Sequence, residues 1–152
     1  MGCDIHSFAE KQLNGQWVNL GVAPFDWRSY GMFAFLAGVR NYSAVSPIAE
    51  RRGFPGDASD EVRGEYSDWA GDAHSASWLT VKELSDFDYD ARMEDRRVTR
   101  RVAAGYYDGG QTCDPGEGQT MTYREFLGSD FFDDIEKLKA AGAERVVFWF
   151  DN

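Results

Sequence analysis

Arg145-Val146-Val147-Phe148-Trp149-Phe150 is a nearly unbroken run of apolar β-formers headed by a single charge. No polar side alternates with the apolar one, so the run reads as a central strand buried on both faces. The other strands expected in its sheet lie at the other end of the chain. Between Asp4 and Val22 two extended runs flank Leu13-Asn14-Gly15-Gln16, and Asn-Gly tolerates positive φ at both centres of a tight turn. With Asn14 and Gly15 as the loop, Leu13 faces Gln16, Lys11 faces Val18, Ala9 faces Leu20 and Ser7 faces Val22. Ile5, Ser7, Ala9, Val18, Leu20 and Val22 then share an apolar face, and Asp4, His6, Phe8, Glu10, Trp17 and Asn19 share a polar, titratable one. Hairpin and C-terminal strand in one antiparallel or mixed sheet, packed against helices, make an α+β fold with long irregular loops.

The intervening sequence supplies the helices. Ser29 to Val39 is apolar almost all round, a buried helix despite Gly31 and Gly38. Arg40 to Ala73 is punctuated by Pro47, Gly53, Pro55, Gly56, Gly64 and Gly71 and reads as irregular. Thr80-Val81-Lys82-Glu83 is a capping box opening a short helix to about Phe87, and Thr122-Tyr123-Arg124-Glu125 repeats it. Ser129 caps a helix running through Phe132, Ile135 and Leu138 to Gly142. The spacing of Arg92, Arg96 and Arg100, and of Arg97 and Arg101, predicts a helix over Ala91–Ala104 with a solvated cationic face. Gly105 to Gln119 reads as a flexible surface loop. At 152 residues, positions 1–152 are expected to form a single domain.

Charge narrows the function. Sixteen basic against 26 acidic residues give a net charge of −10, which opposes binding to duplex nucleic acid or to an anionic membrane. No apolar run reaches the roughly 18 to 20 residues that cross a bilayer, so a soluble, cytoplasmic product is expected. Cys3 and Cys113 stand far apart and form neither a disulfide framework nor a cysteine metal site. The chain has no serine elbow, P-loop or GxGxxG.

The two histidines each follow an aspartate by two residues, in Asp4-Ile5-His6 and Asp72-Ala73-His74. On a strand such residues point the same way, so each pair can converge on one ion, and two pairs can form one site. Carboxylate and imidazole together suit a divalent metal, Mn²⁺ or Zn²⁺. Without metal, His6 and His74 can divide acid and base work on a phosphodiester, each oriented by its aspartate. Ser75, Ser77 and Trp78 approach the helix N-terminus at Thr80, where free backbone N–H groups suit a phosphate. Arg40 and Asn41, and Glu50, Arg51 and Arg52, offer guanidinium forks to the same anion. The plainer readings are hydrogen-bonded histidines and surface arginines paired with acids.

The segments Met1-Gly2-Cys3-Asp4-Ile5-His6, Phe33 to Asn41 (FAFLAGVRN), Pro47 to Gly53 (PIAERRG) and Asp72 to Thr80 (DAHSASWLT) resemble a family of small bacteriophage and prophage proteins. That family has an MGCDIH start and a DxHSxS[WY]LT segment. The resemblance covers roughly the first 85 residues. It implies a phage accessory protein in the infected cell, working against host immunity by cutting a nucleotide-type signal or by sequestering it. Cutting requires a phosphodiesterase-like hydrolase. Sequestering requires a non-catalytic sponge, with a homo-oligomer completing the pocket. A third reading is an acidic inhibitor of a host enzyme.

Overall fold

The computed structural model describes residues 2–101 and 107–152. In chain order the elements are β1 (Asp4–Leu13), β2 (Gln16–Asn19), α1 (Tyr30–Ala37), α2 (Asp60–Trp69), β3 (His74–Thr80), α3 (Val81–Asp86), β4 (Arg92–Asp95), β5 (Arg97–Arg101), β6 (Tyr107–Thr112), β7 (Gln119–Thr122), α4 (Tyr123–Leu127), α5 (Ser129–Ala140) and β8 (Arg145–Asp151). The fold is α+β, as the sequence predicts. Two compact units divide it: Met1–Arg28, Glu50–Phe87 and Ser129–Asn152 form the first, Ser29–Ala49 and Asp88–Gly128 the second. Among the described residues no helix is long and apolar enough to cross a membrane.

The first unit is built on an antiparallel sheet of order β2-β1-β8-β3. β8 is inner, and Arg145 to Phe150 are all buried, as expected for a run with no polar face. Asn14 and Gly15 both have positive φ, and Leu13 pairs with Gln16 and Lys11 with Val18 as the Asn-Gly turn dictates. The expected register stops there. The Leu20 N–H donates to the Ala9 carbonyl at 2.9 Å, but the Ala9 N–H donates to Val22 at 3.1 Å, and Gly21 takes φ 72° between them. Two extra residues thus bulge from the return strand, and the Ser7 hydroxyl meets the carbonyl of Pro24 instead of Ser7 pairing across to Val22.

Register sorts the sheet into two faces. Ile5, Ser7 and Ala9 lie beside Phe150, Phe148 and Val146, whereas His6 and Phe8 lie beside Trp149 and Val147. The second face, expected to be polar, is a core: Val147, Trp149, Ala76, Ala58 and Val62 are buried there with Phe8, Phe54, Tyr66, Trp69 and Trp78 against them. Its cover is α2, in the stretch expected to be irregular. Ser59 caps this helix by accepting from the Val62 N–H, and Val62, Tyr66 and Trp69 recur at helical spacing on one side of an otherwise polar segment.

Glu10, expected on the titratable surface, is fully buried. Its Oε1 accepts from Arg145 Nε at 2.9 Å and its Oε2 from the Ser59 N–H at 2.8 Å. Arg145 also donates to Asp57 at 3.0 Å, and its guanidinium lies 3.7 Å over the ring of Trp17. Burial of this pair is tolerable because both carboxylate oxygens have donors. Elsewhere in the unit α5 buries Phe131, Ile135 and Leu138, and Phe131 stacks on Phe25 at 4.8 Å.

In the second unit, α1 is buried from Met32 to Ala37, capped by the Ser29 hydroxyl and ended by Gly38 at φ 70°. Gly31 lets α4 approach: a Cβ there would stand 2.9 Å from the Phe126 ring. The helix predicted over Ala91–Ala104 is not formed. Arg92 to Asp95 pair with β7 and Arg97 to Arg101 with β6, and residues 102–104 lie outside the described ones. The Asp95 carboxylate accepts from the Arg97 N–H at 3.1 Å, an Asp-centred turn that breaks the helical period between the strands. The expected loop over Gly105–Gln119 is partly β6, with residues 105 and 106 outside the described ones.

Candidate functional site

β3 is the edge strand next to β8, and the sequence-predicted residues gather along it. The register shifts between His74 and Ser77, and Ser75 takes φ 57°, a left-handed conformation uncommon for any residue but glycine. This bulge brings the Ser75 hydroxyl to 3.0 Å from His74 Nδ1. Arg51 Nη1 donates to the same hydroxyl at 3.0 Å. His74 Nε2 lies 3.3 Å from Asn152 Oδ1, and the imidazole stacks near Phe150 at 6.2 Å. An amide oxygen accepts from Nε2–H and leaves Nδ1 as the acceptor for the Ser75 O–H. The row Arg51–Ser75–His74–Asn152 therefore joins a cation, a hydroxyl, a base and an orienting group.

Further along β3, the Arg52 N–H donates to the Ser77 hydroxyl at 2.9 Å, and its side chain donates to the Trp78 carbonyl at 3.1 Å. Its guanidinium lies 4.6 Å over the Trp78 ring and forks onto Glu83 at 2.8 and 2.5 Å. Hydrogen bonding from Arg52 holds the Glu83 carboxyl down at about 2 and raises Arg52 in return. Glu83 Oε1 also accepts from the Thr80 N–H at 2.9 Å and from its hydroxyl at 3.0 Å, while Thr80 Oγ1 accepts from the Glu83 N–H. The capping box is formed as expected, and it overturns the expectation of a phosphate at that helix start. Glu83 is itself the anion there, and α3 begins at Val81, directly after β3.

The two Asp-x-His pairs do not converge. Cross-strand register places His6 beside Trp149 and His74 beside Phe150, on opposite faces of the sheet. Asp4 is half-exposed and forks onto Arg28, with both bonds at 2.9 Å, and hydrogen bonding from Arg28 lowers its carboxyl. His6 bonds instead to Asp151, Nε2 to Oδ2 at 2.6 Å, with the Trp69 ring 4.2 Å from its own. Asp72 is exposed, and its N–H donates to the Trp69 carbonyl at 2.7 Å. Among the described residues no group of three or more His, Cys, Asp or Glu side chains is gathered to hold a metal.

The other expected ligands are dispersed. Glu50 is exposed. Arg40 and Asn41 belong to the second unit, where the Asn41 amide closes a turn onto both N–H and C=O of Val45, and Arg40 Nη1 meets the Tyr42 hydroxyl at 3.4 Å. Sequence reasoning missed Asp151 and Asn152. Their only signal is the antiparallel register of β8, which sets Asp151 opposite Asp4 at the His6 end of the sheet. Comparison with family models, curated proteins and solved structures finds no match.

Proposed function

We propose that the protein is a small phosphodiester hydrolase acting on a nucleotide-type phosphate ligand at the β3 edge. The observation that carries this reading is the Ser75 hydroxyl held at 3.0 Å from both His74 Nδ1 and Arg51 Nη1. Nucleophile, base and orienting group within hydrogen-bond reach are the parts that nucleophilic catalysis needs. Ser75 Oγ attacks phosphorus as its proton passes to His74 Nδ1. The bond to the leaving oxygen breaks, and His74 returns the proton to that oxygen. Water, deprotonated by the same Nδ1, then attacks phosphorus, the Ser75 Oγ–phosphorus bond breaks, and Nδ1 returns the proton to Oγ to restore the hydroxyl. Arg51 balances charge on the non-bridging oxygens. Asp4, His6 and Asp72 have no step in this scheme, because His6 faces the other side of the sheet and Asp72 is exposed.

The phage resemblance supplies the context: a nucleotide signal of host immunity, destroyed in the cytoplasm of the infected cell. The test incubates purified protein with cyclic dinucleotides, cyclic trinucleotides and cyclic ADP-ribose isomers, with and without Mn²⁺ or Zn²⁺, followed by heating and chromatography. New product peaks that vanish in Ser75→Ala support the hydrolase. Ligand that leaves solution and returns intact on heating replaces it with a sponge, and an unchanged panel sinks both.

A further inference from the structure

The second unit contains a cationic and aromatic cluster that the proposed reaction does not use. Arg97 opens β5, and its guanidinium carbon lies 5.6 Å from the Tyr30 ring centre and 5.7 Å from that of Tyr42. Arg40 stands 5.6 Å from the same Tyr30 ring, and the two phenol rings are 6.2 Å apart. The cluster is fixed by its supports. Tyr30 is the first residue of α1, the Tyr42 ring lies where a Cβ on Gly110 would come within 3.2 Å of it, and the Thr112 hydroxyl donates to the Tyr42 carbonyl at 2.7 Å.

Arg97 differs from the arginines whose guanidinium has an oxygen acceptor. Arg28, Arg52, Arg63, Arg124 and Arg145 each hold a carboxylate, Arg96 Nε donates to the Cys113 carbonyl at 2.8 Å, and Arg51 and Arg92 donate to hydroxyls. Arg97 forms no ion pair with any described residue, and its Nε is buried with no hydrogen-bond partner. The nearest acid in sequence, Asp95, spends a carboxylate oxygen on the Arg97 backbone N–H. Acids outnumber bases by 26 to 16, so an arginine without a carboxylate is not explained by scarcity. Ring faces attract a guanidinium but give its N–H groups no acceptor.

We infer that Arg97, flanked by Tyr30 and Tyr42, is a binding site for an oxyanion, the phosphate or carboxylate group of a small ligand. The planar guanidinium matches the oxygen pair of either group, and the flanking rings hold it in one orientation without neutralising it. The site is independent of the Ser75 hydrolase reading.

The probes are inorganic phosphate and acetate, titrated separately into the full-length ¹⁵N-labelled protein against sodium chloride at matched ionic strength. Arginine Nε–H resonances are followed by NMR, with the Arg97 signal assigned by its loss in Arg97→Lys. A saturable shift of that signal by phosphate alone supports a phosphate site, and one by acetate as well supports a general oxyanion site. No movement, or movement that chloride reproduces, overturns the inference. The decisive readout is on the unmodified chain, so a variant that fails to fold does not blunt it. Tyr30→Leu is expected to weaken binding about 2- to 5-fold, the size of one exposed cation–π contact. The titration is expected to be unchanged in a His74→Ala/Ser75→Ala chain, so loss of hydrolysis and loss of this site are separate results.

Discussion

His6 and His74 lie beside consecutive residues of β8, Trp149 and Phe150, and therefore face away from each other across the sheet. A period of two along a strand brings an Asp and a His to one side, but neighbouring strands decide which side. His74→Ala is expected to lower turnover about 10²- to 10⁴-fold, the usual worth of a positioned base, and His6→Ala to leave kcat/KM within about 3-fold. Equal losses in both, read by product chromatography on folded protein, would show that the histidines act together after all.

Arg145 and Glu10 are a buried pair, so removing one partner strands the other. Arg145→Met is expected to cost about 3–5 kcal/mol in urea denaturation. Adding Glu10→Met should recover most of that loss, because no uncompensated charge then remains buried. A double variant as unstable as the single one would locate the effect in the stack on Trp17.

Glu83 titrates at about 2 in the folded chain against 4.5 for the free side chain, with the Arg52 hydrogen bond as the main cause. A depressed carboxyl stabilises the fold above its unfolded value and loses that contribution as pH falls from about 4.5 to 2. Wild type is therefore expected to lose about 1–2 kcal/mol more than Glu83→Gln across that window, allowing for screening of a partly exposed pair. Parallel stability curves for the two proteins would refute the assignment.

Gly31 is helical and lies against Phe126, so two effects oppose each other at one position. Gly31→Ala alone is expected to gain nothing in thermal denaturation, because the methyl group meets the ring. In a Phe126→Leu background the same change should gain about 1 kcal/mol, the ordinary advantage of alanine within a helix.

Local grammar made much of the fold legible. Asn14-Gly15 fixes a turn, Thr80 and Thr122 with their glutamates fix two helix starts, and Arg145–Phe150 has no polar side to show to water. Register between distant strands was not legible. It alone turns Phe8 and Glu10 inward and brings Asp151 to His6. The arginines near residue 97 misled because spacing of four is also what two strands broken by an Asp-centred turn can produce. At the site, Arg51, Ser75 and His74 stand out in the sequence one by one, and hydrogen bonds through the Ser75 hydroxyl join them. Their hydrogen-bond order was not readable, because it rests on the left-handed backbone of Ser75 and on Asn152, far along the chain.

β8 is also the last strand of its sheet to be synthesised, and both inner seams wait for it. Glu10 and Arg145 are 135 positions apart. Closing so long a loop costs entropy before any pairing rewards it, which makes this sheet slow to assemble. Until Arg145–Asp151 leave the ribosome, β1 has only β2 beside it and β3 has no strand neighbour, whereas every residue of the second unit has already been made by Gly128. A nascent chain stalled after Ala140 is thus expected to be cut by protease within Asp4–Leu13 and the released protein to resist. Equal resistance would mean that another segment shelters β1 first. The apolar run that specifies the sheet thereby sets a schedule, leaving the chain dependent on protection during synthesis and self-sufficient after it.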